Sequence, residues 1–467
     1  MEEEPEILTL FEVKYADLML LASDSTLDSS SDISSAERQR LDSISSTIMK
    51  TLGPTGPGLL SITGVPNSSI LRRKMLPLAR NLALLNHDDR KRILKEHRLG
   101  SDVPLKNLDR FVSSFGMKLE YSLGKDGLQN ERSPKGDLNV KLEQVFAGKE
   151  RDEFEDFGET LEQLGQVMVD IGIRLARVCD RAIGGQELEQ SLKESSTAKG
   201  RLIHYHSALD NLIMKENEAG RRKVTAKVCP KHDRKRGPCN PPPPASETWQ
   251  LINTNQTEAD LMTCQSKLWQ QWHYDYGIFT ILTDPLFISS CGSVQTPKER
   301  NGIAPFDEHK VESPVGHTCL QVLDTYMDKQ VSVKSSPKSF IIQVGESADI
   351  LSKGKLRATL HCVSRPRKVG NVSRETFVVF LQPAWSKIFT PQNDSGSAQR
   401  FIVDDHGLSR YANDNTCRKQ TTSKLVEDIL NTIPPLSLRL KDGMTFAEFS
   451  RETTKQYYGG SGLQSNR

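Results

Sequence analysis

From residue 201 onward the chain is written in short β-type runs, and this texture constrains the fold more than any other feature. The runs are Arg201–His206, Gly277–Leu282, Leu320–Leu323, Ser339–Val344, Arg357–Val363 and Thr376–Leu381, separated by Gly, Pro and Ser. Strands this short cannot bury a core alone, so they must pair into sheets that pack on each other. The stretch ahead of them is helical. Leu41, Ile44, Ile48 and Leu52 recur at spacings of three and four before Gly53-Pro54 stops the pattern. Gly58–Gly64 reads as a short buried strand. Ser68 or Ser69 can cap a following helix whose apolar face holds Leu71, Met75, Leu78, Leu82 and Leu85. A long helix is expected at about 156–182, with Leu161, Leu164, Val167, Ile171, Leu175 and Val178 on one side. Thr445 and Glu448 have capping-box spacing and predict a closing helix over 445–458. The pattern is that of an α+β chain with a double-sheet jelly roll flanked by helices.

At 467 residues, with 36% hydrophobic and 26% charged residues, the chain can bury a large core. Residues 22–36 are rich in Ser and Asp, so 1–35 is expected to be a flexible arm. A helical domain is expected over 36–200, a β core over 201–383 and a C-terminal extension with helices over 384–467. Two inserts interrupt the core, a basic one at about 215–247 ending in four prolines and a polar one at about 292–315. The start, Met-Glu-Glu-Glu-Pro-Glu, has no basic or apolar leader features, and no run approaches the roughly 20 apolar residues of a membrane helix. The eight cysteines are scattered singly, which fits free thiols in a reducing compartment. A cytoplasmic location is expected, with the nucleus left open, and a monomer. The net charge of +2 gives no global reason to bind nucleic acid or an acidic membrane.

Function must then come from local sites. His273 and Asp275 stand two apart at the mouth of a strand, where side chains i and i+2 share a face. With His361, on a later apolar run, they make the donor set of a facial triad for non-haem Fe(II). A second His-x-Asp, in His87-Asp88-Asp89, falls between two helical patterns, where acids better serve to cap a helix. Arg374 and Thr376 again share a strand face and together can hold a carboxylate by charge-assisted bonds. Cys229, His232 and Cys239 lack a fourth ligand at any common zinc spacing, and the basic runs at 221–223 and 234–236 lack interleaved aromatics; both suit a solvated loop.

At these residues the chain resembles the plant-type 2-oxoglutarate/Fe(II)-dependent dioxygenases, the isopenicillin N synthase-like enzymes among them. The resemblance runs from about 54 to 383. It begins with Gly56-Pro-Gly-Leu-Leu-Ser-Ile-Thr-Gly-Val-Pro66 and continues with His273-Tyr-Asp275-Tyr-Gly277, then Thr280 and Leu282. Leu-Gln-Val at 320–322, Ile341-Ile-Gln-Val-Gly-Glu346 and Ser352-Lys-Gly354 follow before His361 and the Arg374/Thr376 pair. The resemblance implies a distorted double-stranded β-helix, iron held by His273, Asp275 and His361, and 2-oxoglutarate clamped by Arg374 and Thr376. Dioxygen would be the second co-substrate, and a small molecule the substrate. Where the family has Asn-x-Tyr, with the tyrosine on 2-oxoglutarate, this chain reads His204-Tyr205-His206, which puts His206 at that contact. Two other readings stay open: an iron-dependent oxidase of the same fold without 2-oxoglutarate, and a non-catalytic binding protein.

Overall fold

The computed structural model describes residues 6–23, 34–101, 111–124, 127–128, 153–215, 267–290, 308–311, 313–324, 329–366, 371–390, 401–403, 409–411 and 424–458. The bulk of both inserts, Cys229, His232, Cys239 and the basic runs lie outside them. Two sheets form the centre. The smaller has the strand order Glu6–Thr9, Lys329–Lys334, Leu320–Asp324, His361–Ser364, Leu268–His273. The larger runs Glu12–Lys14, Leu59–Thr63, Phe340–Val344, Phe279–Thr283, Val372–Leu381, Thr197–Tyr205, Val112–Glu120, Gly100–Ser101. Leu286–Ser290 runs beside the first half of Val372–Leu381, and Glu308–Val311 pairs with it in turn. Between residues 268 and 381 the chain passes back and forth between the sheets.

The strand Val372–Leu381 explains why the layers stack. Nearly all of it is buried, because both its faces are covered. Val372 and Val378 point between the sheets, where they meet Val322, Val331, Val363 and Trp269 of the smaller one. Phe377, Val379 and Leu381 point the other way, into a core shared with Leu71, Met75 and Leu82 of the helix Ser68–Leu84 and Leu164, Met168 and Ile171 of Phe157–Ile183. Each such side chain contributes about 1.5–3 kcal/mol by leaving water. The long helix ends at Gly184, whose φ of 77° is open to glycine at little cost. No helix among the described residues is long and apolar enough to cross a membrane.

The expectation of a flexible arm over 1–35 is corrected for residues 6–22. Glu6–Thr9 pairs in parallel with Lys329–Lys334, Glu12–Lys14 pairs in parallel with Leu59–Thr63, and Tyr15–Ala22 is a helix. Val13 is 1% and Leu18 0% exposed, so this segment belongs to the core that the Ser/Asp-rich link seemed to cut it from. At the second His-x-Asp, the cap of the helix His87–Glu96 is Asn86, which accepts from Asp88 N and Asp89 N. The two acids fill the first turn, where the helix dipole favours them.

Candidate functional site

His273 ends one strand of the smaller sheet and His361 begins its neighbour, in register opposite each other. Their rings lie 4.3 Å apart. Asp275 sits just beyond the strand end, on a loop lashed to the turn after Phe340–Val344. Glu346 N donates to Asp275 O (2.8 Å), Gly345 N to Ile278 O (2.9 Å) and Ser347 N to Gly277 O (3.0 Å). A side chain at position 345 would stand 2.2 Å from Gly277 O, so this approach requires glycine. The result brings the three side chains to one point, His273 Nε2 3.7 Å from Asp275 Oδ1 and His361 Nε2 3.7 Å from Asp275 Oδ2. All donor atoms of the group fall within 4.8 Å of one another.

The hydrogen bonds around these residues prepare them as ligands. His273 Nδ1 donates to Gln271 O (2.8 Å) and His361 Nδ1 to Thr359 O (3.0 Å). A carbonyl only accepts, so in the neutral rings the protons lie on Nδ1 and the lone pairs on Nε2, facing Asp275. Burial, reinforced by the neighbouring His361, pushes His273 down to about 4 and keeps it neutral. Thr280 Oγ1 donates to Asp275 Oδ2 (2.7 Å), holding the carboxylate. Two imidazole nitrogens and one carboxylate suit Fe(II), and so the residues fit the metal that the pattern implies.

Arg374 and Thr376 lie on the inner face of Val372–Leu381. Arg374 is 1% exposed; its Nε donates to Thr318 O (2.9 Å), and its Nη1 has no hydrogen-bond partner among the described residues. A buried guanidinium nitrogen left without an acceptor is costly, and a carboxylate beside it would satisfy it. Thr376 is fully buried and bonds Thr283.

His206, expected at the co-substrate, stands elsewhere. It lies on the opposite face of its strand from Arg374, with Nε2 2.8 Å from Ser113 Oγ and its ring 4.3 Å from His204. The reason is the period of two: Tyr205 opposes Arg374 in the ladder, so 204 and 206 must face away. Tyr205 is the residue that sequence reading missed. Arg374 stacks over its ring at 5.0 Å, its hydroxyl donates to Gln270 Oε1 (3.0 Å), and Gln270 Nε2 donates to the His273 Nε2 lone pair (2.9 Å), a bond that a metal at that atom would replace. This chain of contacts joins Arg374 to the triad. Counting faces from Ile203, which shares the inner core with Tyr205, would have found it.

The neighbours of the ligands face outward. Trp272 and Tyr274 pack under Val426, Ile429 and Leu430 of the helix Lys424–Asn431, and Tyr276 under Phe446. Arg439 bonds both oxygens of Glu346 (2.7 and 2.6 Å), and Tyr274 N donates to the Tyr457 hydroxyl (3.3 Å). The backbone on both sides of Asp275 is thus held from the C-terminal segment.

No protein-family model and no curated protein matches the sequence. Among solved structures, the chain is similar to a full-length Neurospora crassa protein in complex with alpha-KG (13% identity, 83% of this chain and 89% of that one, TM-score 0.44). It is also similar to dioxygenase for auxin oxidation 1 from Arabidopsis thaliana in its 2-oxoglutarate complex (15%, 83% and 98%, 0.44). A third is a 2OG-Fe(II) oxygenase family protein of Caulobacter crescentus (12%, 83% and 92%, 0.39). At such distances the likeness says nothing about substrate.

Proposed function

We propose that the chain is an Fe(II)- and 2-oxoglutarate-dependent oxygenase that oxidises a small-molecule substrate with release of succinate and CO2. The 201–383 segment, wound alternately between the two sheets, is read as a distorted double-stranded β-helix of the plant-type family, and the protein as a cytoplasmic monomer. The observation that carries this reading is the convergence of His273, Asp275 and His361 at one end of a contact chain whose other end is the unsatisfied guanidinium of Arg374.

When bound, the iron supplies the site at which dioxygen and the 2-oxo acid are activated for oxidative decarboxylation and attack on a substrate C–H bond. The protein's own work is placement. His273 and His361 present lone pairs fixed by the Gln271 and Thr359 carbonyls, and Asp275 is held by Thr280. Arg374 takes the distal carboxylate of 2-oxoglutarate, and Tyr205, stacked beneath it, keeps the guanidinium plane turned toward that end. The apolar walls from Leu282, Ile341 and Val378 keep the interior dry.

The test is anaerobic titration of 2-oxoglutarate into the Fe(II)-loaded protein, followed by succinate assay in air. A saturable visible charge-transfer band and succinate formation are expected. Iron binding with no response to 2-oxoglutarate would replace this reading with the oxidase that dispenses with it; no iron binding would leave only a non-catalytic protein.

A further inference from the structure

The strand Leu268–His273 carries one residue more than its neighbour matches. His273 stands opposite His361 and Gln270 opposite Val363, so three steps on one strand answer two on the other. Side chains three apart on a regular strand face opposite ways. The bulge cancels that inversion and brings Gln270 to the face of His273.

The proton on His273 then fixes how the Gln270 amide lies. His273 Nδ1 donates to Gln271 O, which leaves Nε2 as an acceptor, and so the nitrogen end of the amide faces it (2.9 Å). The oxygen end is left to accept from the Tyr205 hydroxyl (3.0 Å), and Arg374 lies over the Tyr205 ring.

A metal and the amide compete for one lone pair. A metal at His273 Nε2 takes it, while the oxygen end of Gln270 can stay on Tyr205. The N–H groups then need a new acceptor, because Gln270 is half-buried and a donor left unpaired there is costly. Position decides which acceptor. In the proposed reaction 2-oxoglutarate is held by the metal at its oxo-acid end and by Arg374 at its distal carboxylate. Tyr205 and Gln270 connect the same two points, and Gln270 is the link beside the metal.

We propose that Gln270 is a contact for the co-substrate: displaced from His273 by the metal, its amide donates to the oxo-acid end of 2-oxoglutarate.

This rests on the proposed function and adds a coupling to it. The same N–H cannot serve His273 and the oxo acid at once, so the metal, by taking the imidazole, releases the donor that the co-substrate uses. Metal and co-substrate then favour each other's binding.

The experiment measures two affinities on the full chain, Fe(II) by competition with a chelator and 2-oxoglutarate by anaerobic titration of the charge-transfer band. Gln270→Leu keeps the bulk of the side chain and removes its hydrogen bonds. It is expected to weaken 2-oxoglutarate about 10-fold or more and to leave Fe(II) affinity unchanged or raise it by up to about 10-fold, since nothing then competes for the lone pair. Gln270→Glu keeps an acceptor for Tyr205 and loses only the N–H donors; it should weaken 2-oxoglutarate further while tightening Fe(II). A residue that merely shaped the site would lose both affinities together, so parallel losses in these variants overturn the proposal. So does a 2-oxoglutarate affinity that both variants share with the wild-type chain. If the leucine variant fails to fold, the glutamate variant, which has the shape of glutamine, decides alone. A wild-type chain that binds Fe(II) and gives no band with 2-oxoglutarate is a distinct result: it overturns the proposed function, and the contact falls with it.

Discussion

Two clusters of two histidines and an aspartate lie on opposite sides of the chain's sheets, and they differ in access and in the sign of their surroundings. In the His273 cluster the side chains keep 7–13% exposure, and burial with a second imidazole pushes His273 down to about 4. In the His204 cluster every side chain is at 0%; burial pulls His204 down too, but Glu375 and Asp210 outweigh it and raise the group to about 9. Identical residue types therefore make a neutral, approachable ligand set in one place and an acid-rich, sealed ion network in the other. What separates them is position: one cluster sits at strand ends, the other beneath a helix.

Substitutions can break this contrast. The largest effect is expected at the front: Asp275→Ala should lower iron affinity and succinate formation by on the order of 100-fold or more, since even partners of ligands cost 10–100-fold, while the melting temperature hardly moves. The back should answer in the opposite way. Arg80→Met strands the buried Asp210 carboxylate and should cost about 3–5 kcal/mol in denaturant unfolding, whereas Lys118→Met, which breaks the exposed pair with Glu120, should cost under about 1 kcal/mol. Equal losses at the two pairs would mean that the network behind the sheet carries no special weight.

Arg374→Met removes the guanidinium proposed to hold the distal carboxylate of 2-oxoglutarate and should weaken its binding by about 10–100-fold in the anaerobic titration, leaving iron affinity alone. A pH-dependent effect is expected at Asp349, a buried acid whose side chain accepts from Ala358 N (3.1 Å). Burial, with Glu346 nearby, pushes its carboxyl up to about 6. Because the folded value lies above the unfolded one, its contribution is fully present below about pH 4 and is lost as pH rises through about 6. Asp349→Asn should flatten that slope, worth on the order of 2–3 kcal/mol, in unfolding curves taken between pH 4 and 7; an unchanged slope would place the titration elsewhere.

The sequence disclosed those parts of the fold whose periodicity is local. The long helix and the capping box at Thr445, where Glu448 accepts from Thr445 N (2.8 Å), could be read directly. The Val112–Glu120 strand could not, because its pairing along Thr197–Tyr205 is a contact between distant segments that leaves no local mark. The N-terminal strands were hidden for a similar reason: a Ser-rich link looks the same whether or not the chain beyond it returns to a sheet. At the site, ligand types were legible from spacing, but the face on which a residue points was not. A shift of one position exchanged His206 for Tyr205, since a strand's two faces invert with every residue.

The grip of Arg439 on Glu346, and of Tyr457 on Tyr274, has a consequence for the order in which the chain is made. Translation delivers His273, Asp275 and His361 before residues 436–458 emerge, yet the bracing by Arg439 and Tyr457 is added to that of the 345–347 turn only when those helices dock. Ending the chain after Pro435, ahead of Arg439 and Tyr457, is expected to weaken iron binding although every ligand remains, measurable by competition with a chelator. A nascent or prematurely ended polypeptide would then hold a metal loosely at a site whose three side chains are already in place.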